Sequence, residues 1–157
     1  MDEQIHWLSS ISPSVSKTAT INGKKEQRRI RPMDSVGWAK ELTIFKSADI
    51  NRSILSDSYS IAESIDSNAT RVVYQSKYPA STEVEELVIE LDKNRKPVRI
   101  HARLDNSNEL FNSAKIIELN FRDVEGRRLI SSYHTEGWQK MISKDTASYV
   151  VRSEITY

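Results

Sequence analysis

From residue 58 to the end of the chain, apolar and polar residues alternate with a period of two. SYSIAESI, RVVYQSKY, EVEELVIEL, PVRIHARL, SAKIIELNFR, RRLISSYHTEG and TASYVVRSEI all carry this alternation, and each predicts a β-strand with one face turned to a core. The connectors are short and polar: PAST, DKNRK, DNSNEL, DVEG, SKD and a turn at Asp66-Ser67-Asn68. Connectors this short join antiparallel neighbours, because a parallel pair needs a long crossover. Seven consecutive strands therefore predict a meander. An eighth strand is predicted over residues 15–22, where Val15, Lys17, Ala19 and Ile21 alternate with Ser and Thr. Asn22-Gly23 is the best turn signal in the chain. The KKEQRRIRP that follows reads as a return strand or as a loop.

Helical spacing occurs only near the N-terminus. In DSVGWAKELTIFKSADI, residues 34–50, Asp34 suits an N-cap, and Trp38, Leu42, Phe45 and Ala48 form an apolar stripe. DEQIHWLSSI, residues 2–11, predicts a shorter helix with Ile5, Leu8 and Ile11 near one face, limited by Pro13.

The segment ELVIELDKNRKPVRIHARLD, residues 86–105, fixes its own register. With Leu91 opposite Val98, Ile89 faces Ile100 and Leu87 faces Ala102, an apolar side throughout. On the other side Glu90 faces Arg99, Val88 faces His101 and Glu86 faces Arg103. A slip of one residue would put apolar groups on both faces. The charged face is thereby explained as the solvated side of a sheet.

Composition narrows the function. The 157 residues suit one domain, residues 1–157, with a hydrophobic fraction of 38% and a net charge of +1. Such balance argues against nucleic-acid binding through a broad basic surface; the densest basic run holds Lys24, Lys25, Arg28, Arg29 and Arg31. With no cysteine, disulfides, thiolate metal sites and cysteine nucleophiles are excluded. No apolar stretch approaches the roughly 18 residues of a membrane span. No P-loop, dinucleotide fingerprint or G-x-S-x-G elbow occurs. His134 and Glu136 share a strand face, but a zinc site needs a further ligand, and only His6 and His101 remain among the histidines. No cofactor is expected, and a hydrolase using His134 or Glu136 is a remote alternative.

Two surfaces stand out as candidates. Trp38, Phe45, Tyr74, Tyr133 and Tyr149 are placed to line a pocket between helix and sheet, and pockets are mostly apolar with a few polar handles. On the other face, Val73 is expected opposite Val88 if Tyr74 faces Leu87, with Val84 close by; an apolar patch on a polar sheet face marks a protein partner's contact.

DSVGWAKELTIFKSADIN, NELFNSAKIIELNFRD and GWQKMISKDTASYVVRSEI, in that order over roughly residues 34 to 155, resemble the mature part of uncharacterised small envelope lipoproteins of Bacteroidetes-type bacteria. The resemblance implies an exported, lipid-anchored protein whose signal and anchor cysteine are missing from this chain; its motifs are structural and transfer no functional residue. The abundance of serine and the Ser/Thr-rich strands also suit an envelope or periplasmic location, with the cytoplasm as the alternative.

The expected fold is mainly β with an α+β element. It is an antiparallel meander of about eight strands, curved into a half-barrel or a lipocalin-like barrel, with the amphipathic helix of residues 34–50 packed on it. The expected function is non-enzymatic: binding of a small apolar ligand or lipid under the helix, or alternatively a solid-core module that meets a protein through the outer sheet face.

Overall fold

A computed structural model describes residues 1–52, 55, 57–66 and 69–157. The chain runs as α1 (Asp2–Ile11), β1 (Ser14–Ile21), β2 (Lys24–Ile30), α2 (Ser35–Glu41), a 3-10 helix (Thr43–Ala48), β3 (Tyr59–Asp66), β4 (Ala69–Ser76), β5 (Val84–Asp92), β6 (Pro97–Ser107), β7 (Phe111–Val124), β8 (Arg127–Met141) and β9 (Ala147–Thr156). The described residues form one antiparallel sheet of nine strands in the order β2-β1-β9-β8-β7-β6-β5-β4-β3. The meander is present, and the N-terminal hairpin adds to its β9 edge. The sheet is open: β2 and β3 are its two edges and do not pair, so the closed lipocalin-like barrel is replaced by the half-barrel alternative.

KKEQRRI is a strand because Asn22 and Gly23 both take positive φ, 48° and 80°, which gives the tight turn that sends the chain straight back along β1. Glu125 and Gly126 repeat this at the β7–β8 turn, with φ of 48° and 81°. The edges are blunted differently. β2 carries Lys and Arg along almost its whole length, and β3 turns Glu63 toward the helix-bearing face between Ile61 and Ile65. Both devices discourage uncontrolled edge pairing.

The expected register of residues 86–103 is present: Glu90 lies opposite Arg99, Ile89 opposite Ile100, Val88 opposite His101, Leu87 opposite Ala102 and Glu86 opposite Arg103. Two irregularities modify its ends. Leu91 faces Pro97 instead of Val98, and an extra residue at Glu85 lets that carboxylate, and not Glu86, take Arg103 at 2.8 Å. The turn expected at Asp66-Ser67-Asn68 lies, at Ser67 and Asn68, outside the described residues.

The helix expected over 34–50 is two elements. Asp34 caps α2 as expected, its Oδ1 accepting from the Gly37 N–H at 2.8 Å. The α-helix ends at Glu41, and Thr43 Oγ1 donates back to the Ala39 carbonyl at 2.6 Å. Beyond it, Leu42, Phe45 and Ala48 recur every three residues, which is the period of the 3-10 helix that the chain adopts. Trp38, Leu42, Phe45 and Ala48 all face the core.

α1 ends at Ser12 in the left-handed conformation, followed by Pro13. It buries Ile5 and Leu8. Its Gln4 amide acts as a short piece of strand: Nε2 donates to the Arg128 carbonyl at 2.8 Å and Oε1 accepts from the Ile130 N–H at 3.1 Å. This lies beside the break in β7–β8 register between Asn120 and Phe121, where the backbone ladder is interrupted.

One core joins the helices to the sheet. Leu8, Val15, Trp38, Leu42, Leu104, Ile117, Ile130 and Ile155 belong to it. Lys17 stands on this apolar face of β1 because Glu41 of α2 meets its Nζ at 2.5 Å, and the Tyr133 hydroxyl donates to the same carboxylate oxygen at 2.8 Å. A charge this sheltered is retained only when paired.

Candidate functional site

The helices cover one side of the sheet face and leave the β3–β6 side less filled. Two open clefts lie there. One, of about 390 Å³, is bounded by Ala48, Ile50, Leu55, Tyr59, Ile61 and Tyr74 over a floor of Leu87 and Ile89. The other, of about 660 Å³, runs from the same floor past Phe45, Ile100 and Leu119 to Met1 and Asp2. Ala48, Asp49, Leu87 and Ile89 line both clefts, which thus form one trough between the 3-10 helix and the sheet.

The floor is apolar because register stacks it so. Tyr74 lies opposite Leu87 and Val72 opposite Ile89, Leu87 opposite Ala102 and Ile89 opposite Ile100, all on the face that carries the core. The open wall is β3, where Ile61 is 65% exposed because no strand lies beyond it. Tyr59 closes the other end of this wall. Its hydroxyl donates to the Val84 carbonyl at 2.9 Å, and burial pushes the phenol's pKa up. The polar groups stand on the rim: Lys46, Asp49, Asn51 and Arg52. Asp49 Oδ1 accepts from the Asn51 N–H at 3.0 Å and shapes the turn leaving the 3-10 helix.

The five aromatics expected in one pocket divide three ways. Tyr74 and Phe45 do line the trough, one in each cleft. Trp38 and Tyr133 are solid core: Trp38 is fully buried, and Tyr133 packs edge-to-face on Phe45 at 5.8 Å between ring centres. Tyr149 lies far along the sheet, at the start of β9. The lining that sequence reasoning missed is aliphatic: Ile50, Leu55, Ile61, Leu87 and Ile89. Ile61, Leu87 and Ile89 were visible as inward positions of β3 and β5, but nothing in the alternation says which inward positions the helices leave uncovered.

Val73, Val84 and Val88 do not make one exposed patch. Val73 lies opposite Val88 on the outer face, as the register requires, but Val88 is only 5% exposed. Register places Val73 and His101 opposite it and Glu86, Glu90, Arg99 and Arg103 around it on the same face, and long charged side chains of this kind cover apolar surface with their stems. Val84 is buried in the core on the other side.

The outer face has its apolar hollow elsewhere. Ala114, Ile116, Trp138 and Val150, with Arg103 and Glu136 beside them, line a depression of about 370 Å³ over β6–β9, and Tyr149 and Gly137 contribute to it. Gly137 permits the close approach of β7 and β8 at this point: a Cβ there would meet the Ala114 carbonyl oxygen at 2.5 Å.

His134 Nε2 meets Glu136 Oε2 at 3.1 Å on this face, so the two do share a side. His101, Glu118 and His134 also fall in one cross-strand row. Glu118 is engaged otherwise, by Arg99 at 2.5 Å and by the Asn120 amide at 2.9 Å. Among the described residues no three acidic or histidine side chains gather to hold a metal. Nor is any helix long and apolar enough to cross a membrane. Comparison of the chain with protein-family models, with curated proteins and with solved structures finds no match.

Proposed function

We propose that this is a non-enzymatic binding protein that takes a small apolar ligand, of lipid or fatty-acid type, into the trough between the 3-10 helix and β3–β6. The observation that carries this reading is the shared floor of Leu87 and Ile89 beneath two joined clefts with apolar walls and polar groups kept to the rim. Their size falls in the range of small-molecule sites, and an apolar interior with polar groups at the mouth suits an amphiphile. An envelope or periplasmic location is part of the proposal and fits a carrier of such ligands.

The test is titration with a fluorescent long-chain fatty acid. Saturable binding is expected, weakened by Tyr74→Ala and Ile61→Glu and unchanged by Tyr149→Ala at the far end of the sheet. Ile61 is largely exposed, so its substitution leaves the core intact. No saturable binding, or equal loss in all three variants, contradicts the proposal.

A second reading, a module that meets a protein through its outer face, is favoured by the hollow around Ile116, Trp138 and Val150. In that case Val150→Lys abolishes partner capture and leaves fatty-acid uptake unchanged.

A further inference from the structure

The two ends of the sheet differ in chemistry. The β1–β2, β4–β5, β6–β7 and β8–β9 turns all lie at one end, as the strand order requires. Backbone bonds tie neighbours together there: the Ile142 N–H donates to the Leu110 carbonyl at 3.1 Å and the Asn22 N–H to the Ser148 carbonyl at 2.9 Å. Of the eleven large apolar side chains that stand exposed among the described residues, six are at this end: Ile21, Tyr78, Leu110, Trp138, Met141 and Ile142. Leu110 and Ile142 are 69% and 61% exposed at the tips of adjoining turns. The two fully described turns at the opposite end run through charged residues, Asp92 to Lys96 and Asp123 to Arg128, with Ile65 and Val98 the exposed apolar residues beside that end's turns.

Lys24, Lys25, Lys140 and Lys144 flank the apolar tips, and among the described residues none of them has an ion pair. Across the four turns and the two strand residues on either side of each, Lys24, Lys25, Lys77, Lys140 and Lys144 stand against Glu83, Glu85, Glu109 and Asp145, and Glu83 and Glu85 are already paired with Lys115 and Arg103, so this rim is net positive. Apolar side chains at the tips, exposed aromatics in Trp138 on β8 and Tyr78 on the β4–β5 turn, and lysines around them supply the residue types that meet a bilayer surface: acyl region, interface and anionic headgroups.

We propose that this end of the sheet docks on an anionic lipid surface, with Leu110, Met141 and Ile142 entering the interface and Lys140 and Lys144 meeting headgroups. The inference stands on the turns alone and does not depend on the trough holding a ligand.

Co-sedimentation of the whole chain with vesicles of phosphatidylcholine mixed with phosphatidylglycerol tests it. The protein is expected to bind these vesicles, and added salt to weaken the binding. Leu110→Asp with Ile142→Asp, and separately Lys140→Glu with Lys144→Glu, are expected to lower binding by about tenfold or more, whereas Lys93→Glu with Lys96→Glu at the opposite end changes it by less than about twofold. All these positions are exposed, and circular dichroism checks that each variant keeps its sheet. Absence of binding by the wild type overturns the proposal, as does equal binding to pure phosphatidylcholine or equal loss in the Lys93/Lys96 variant. Concentration-dependent self-association abolished by Leu110→Asp with Ile142→Asp, without vesicle binding, also overturns it and assigns the end to a second copy of the chain.

Discussion

The Tyr133 hydroxyl donates to Glu41 Oε1 at 2.8 Å, and this one bond links the second helix to the middle of the longest strand. Lys17 completes the group from β1. Glu41→Ala would leave a sheltered ammonium and a buried hydroxyl without their acceptor, so a loss of about 2–4 kcal/mol is expected by chemical denaturation. Tyr133→Phe removes only one donor and should cost about 1 kcal/mol. The double change Lys17→Met with Glu41→Leu should cost less than the sum of the singles, because it leaves no charge unpaired.

Trp38 is fully buried in the core, and the proposed trough gives it no ligand contact. Trp38→Ala is expected to cost about 3–5 kcal/mol in stability. Any binding loss should track the unfolded fraction; in protein kept folded at low temperature, fatty-acid affinity should be close to that of the wild type. A selective loss of affinity at full stability would place Trp38 in the trough after all.

Stability should fall at alkaline pH. Burial raises the phenols of Tyr133 and Tyr157 above their ordinary value of 10.0, Tyr157 to about 12. A folded-state pKa above the unfolded one means that the stabilisation is complete below about pH 10 and is lost as pH rises toward the folded value. Tm measured against pH should therefore decline above about pH 10, and Tyr157→Phe should flatten part of that decline. A Tm constant up to pH 12 would contradict it.

The acid limb has the opposite sign. Burial works to raise the Glu118 carboxyl, but hydrogen bonds from Arg99 and Asn120, with the charges of Arg99 and His101, bring it below its ordinary value of 4.5. Its contribution is present above the unfolded pKa and is lost as pH falls through the lower folded one. Glu118→Gln should reduce the pH dependence of Tm below about pH 4.5 and lower Tm at neutral pH.

Gly137→Ala would drive a methyl group into the Ala114 carbonyl, and about 1–3 kcal/mol of destabilisation is expected. Because Gly137 also adjoins the outer hollow, fatty-acid uptake by the folded fraction should be unchanged. A parallel loss of uptake would link the two faces.

Most of the fold is written in the chain as alternation. The pairing of Leu87 with Ala102 and of Val73 with Val88 follows from one rule, that a one-residue slip exposes a whole apolar face. Asn22-Gly23 and Asp34 were local signals with local mechanisms, and both act as they read. Non-local geometry was hidden. The break between α2 and the 3-10 helix lies in a stripe that fits 3.6 and 3.0 residues per turn almost equally well over so short a run. The Gln4 amide bridging to Arg128 and Ile130 has no sequence signal, since 124 and 126 residues separate the partners. The candidate site was legible only in part. Aromatic content pointed to Tyr74 and Phe45, but whether an inward residue lines a trough or fills the core depends on where a helix stops. Lys17 on an otherwise apolar strand face was the one clue to the Glu41–Tyr133 bond.

The most direct test of the central claim is native mass spectrometry on protein purified gently from its own source. A retained mass of lipid size, lost on denaturation and reduced in Tyr74→Ala and Ile61→Glu, is the expected result. A bare mass of 18.0 kDa, from protein that also takes up no fluorescent fatty acid, would contradict the trough as a ligand site.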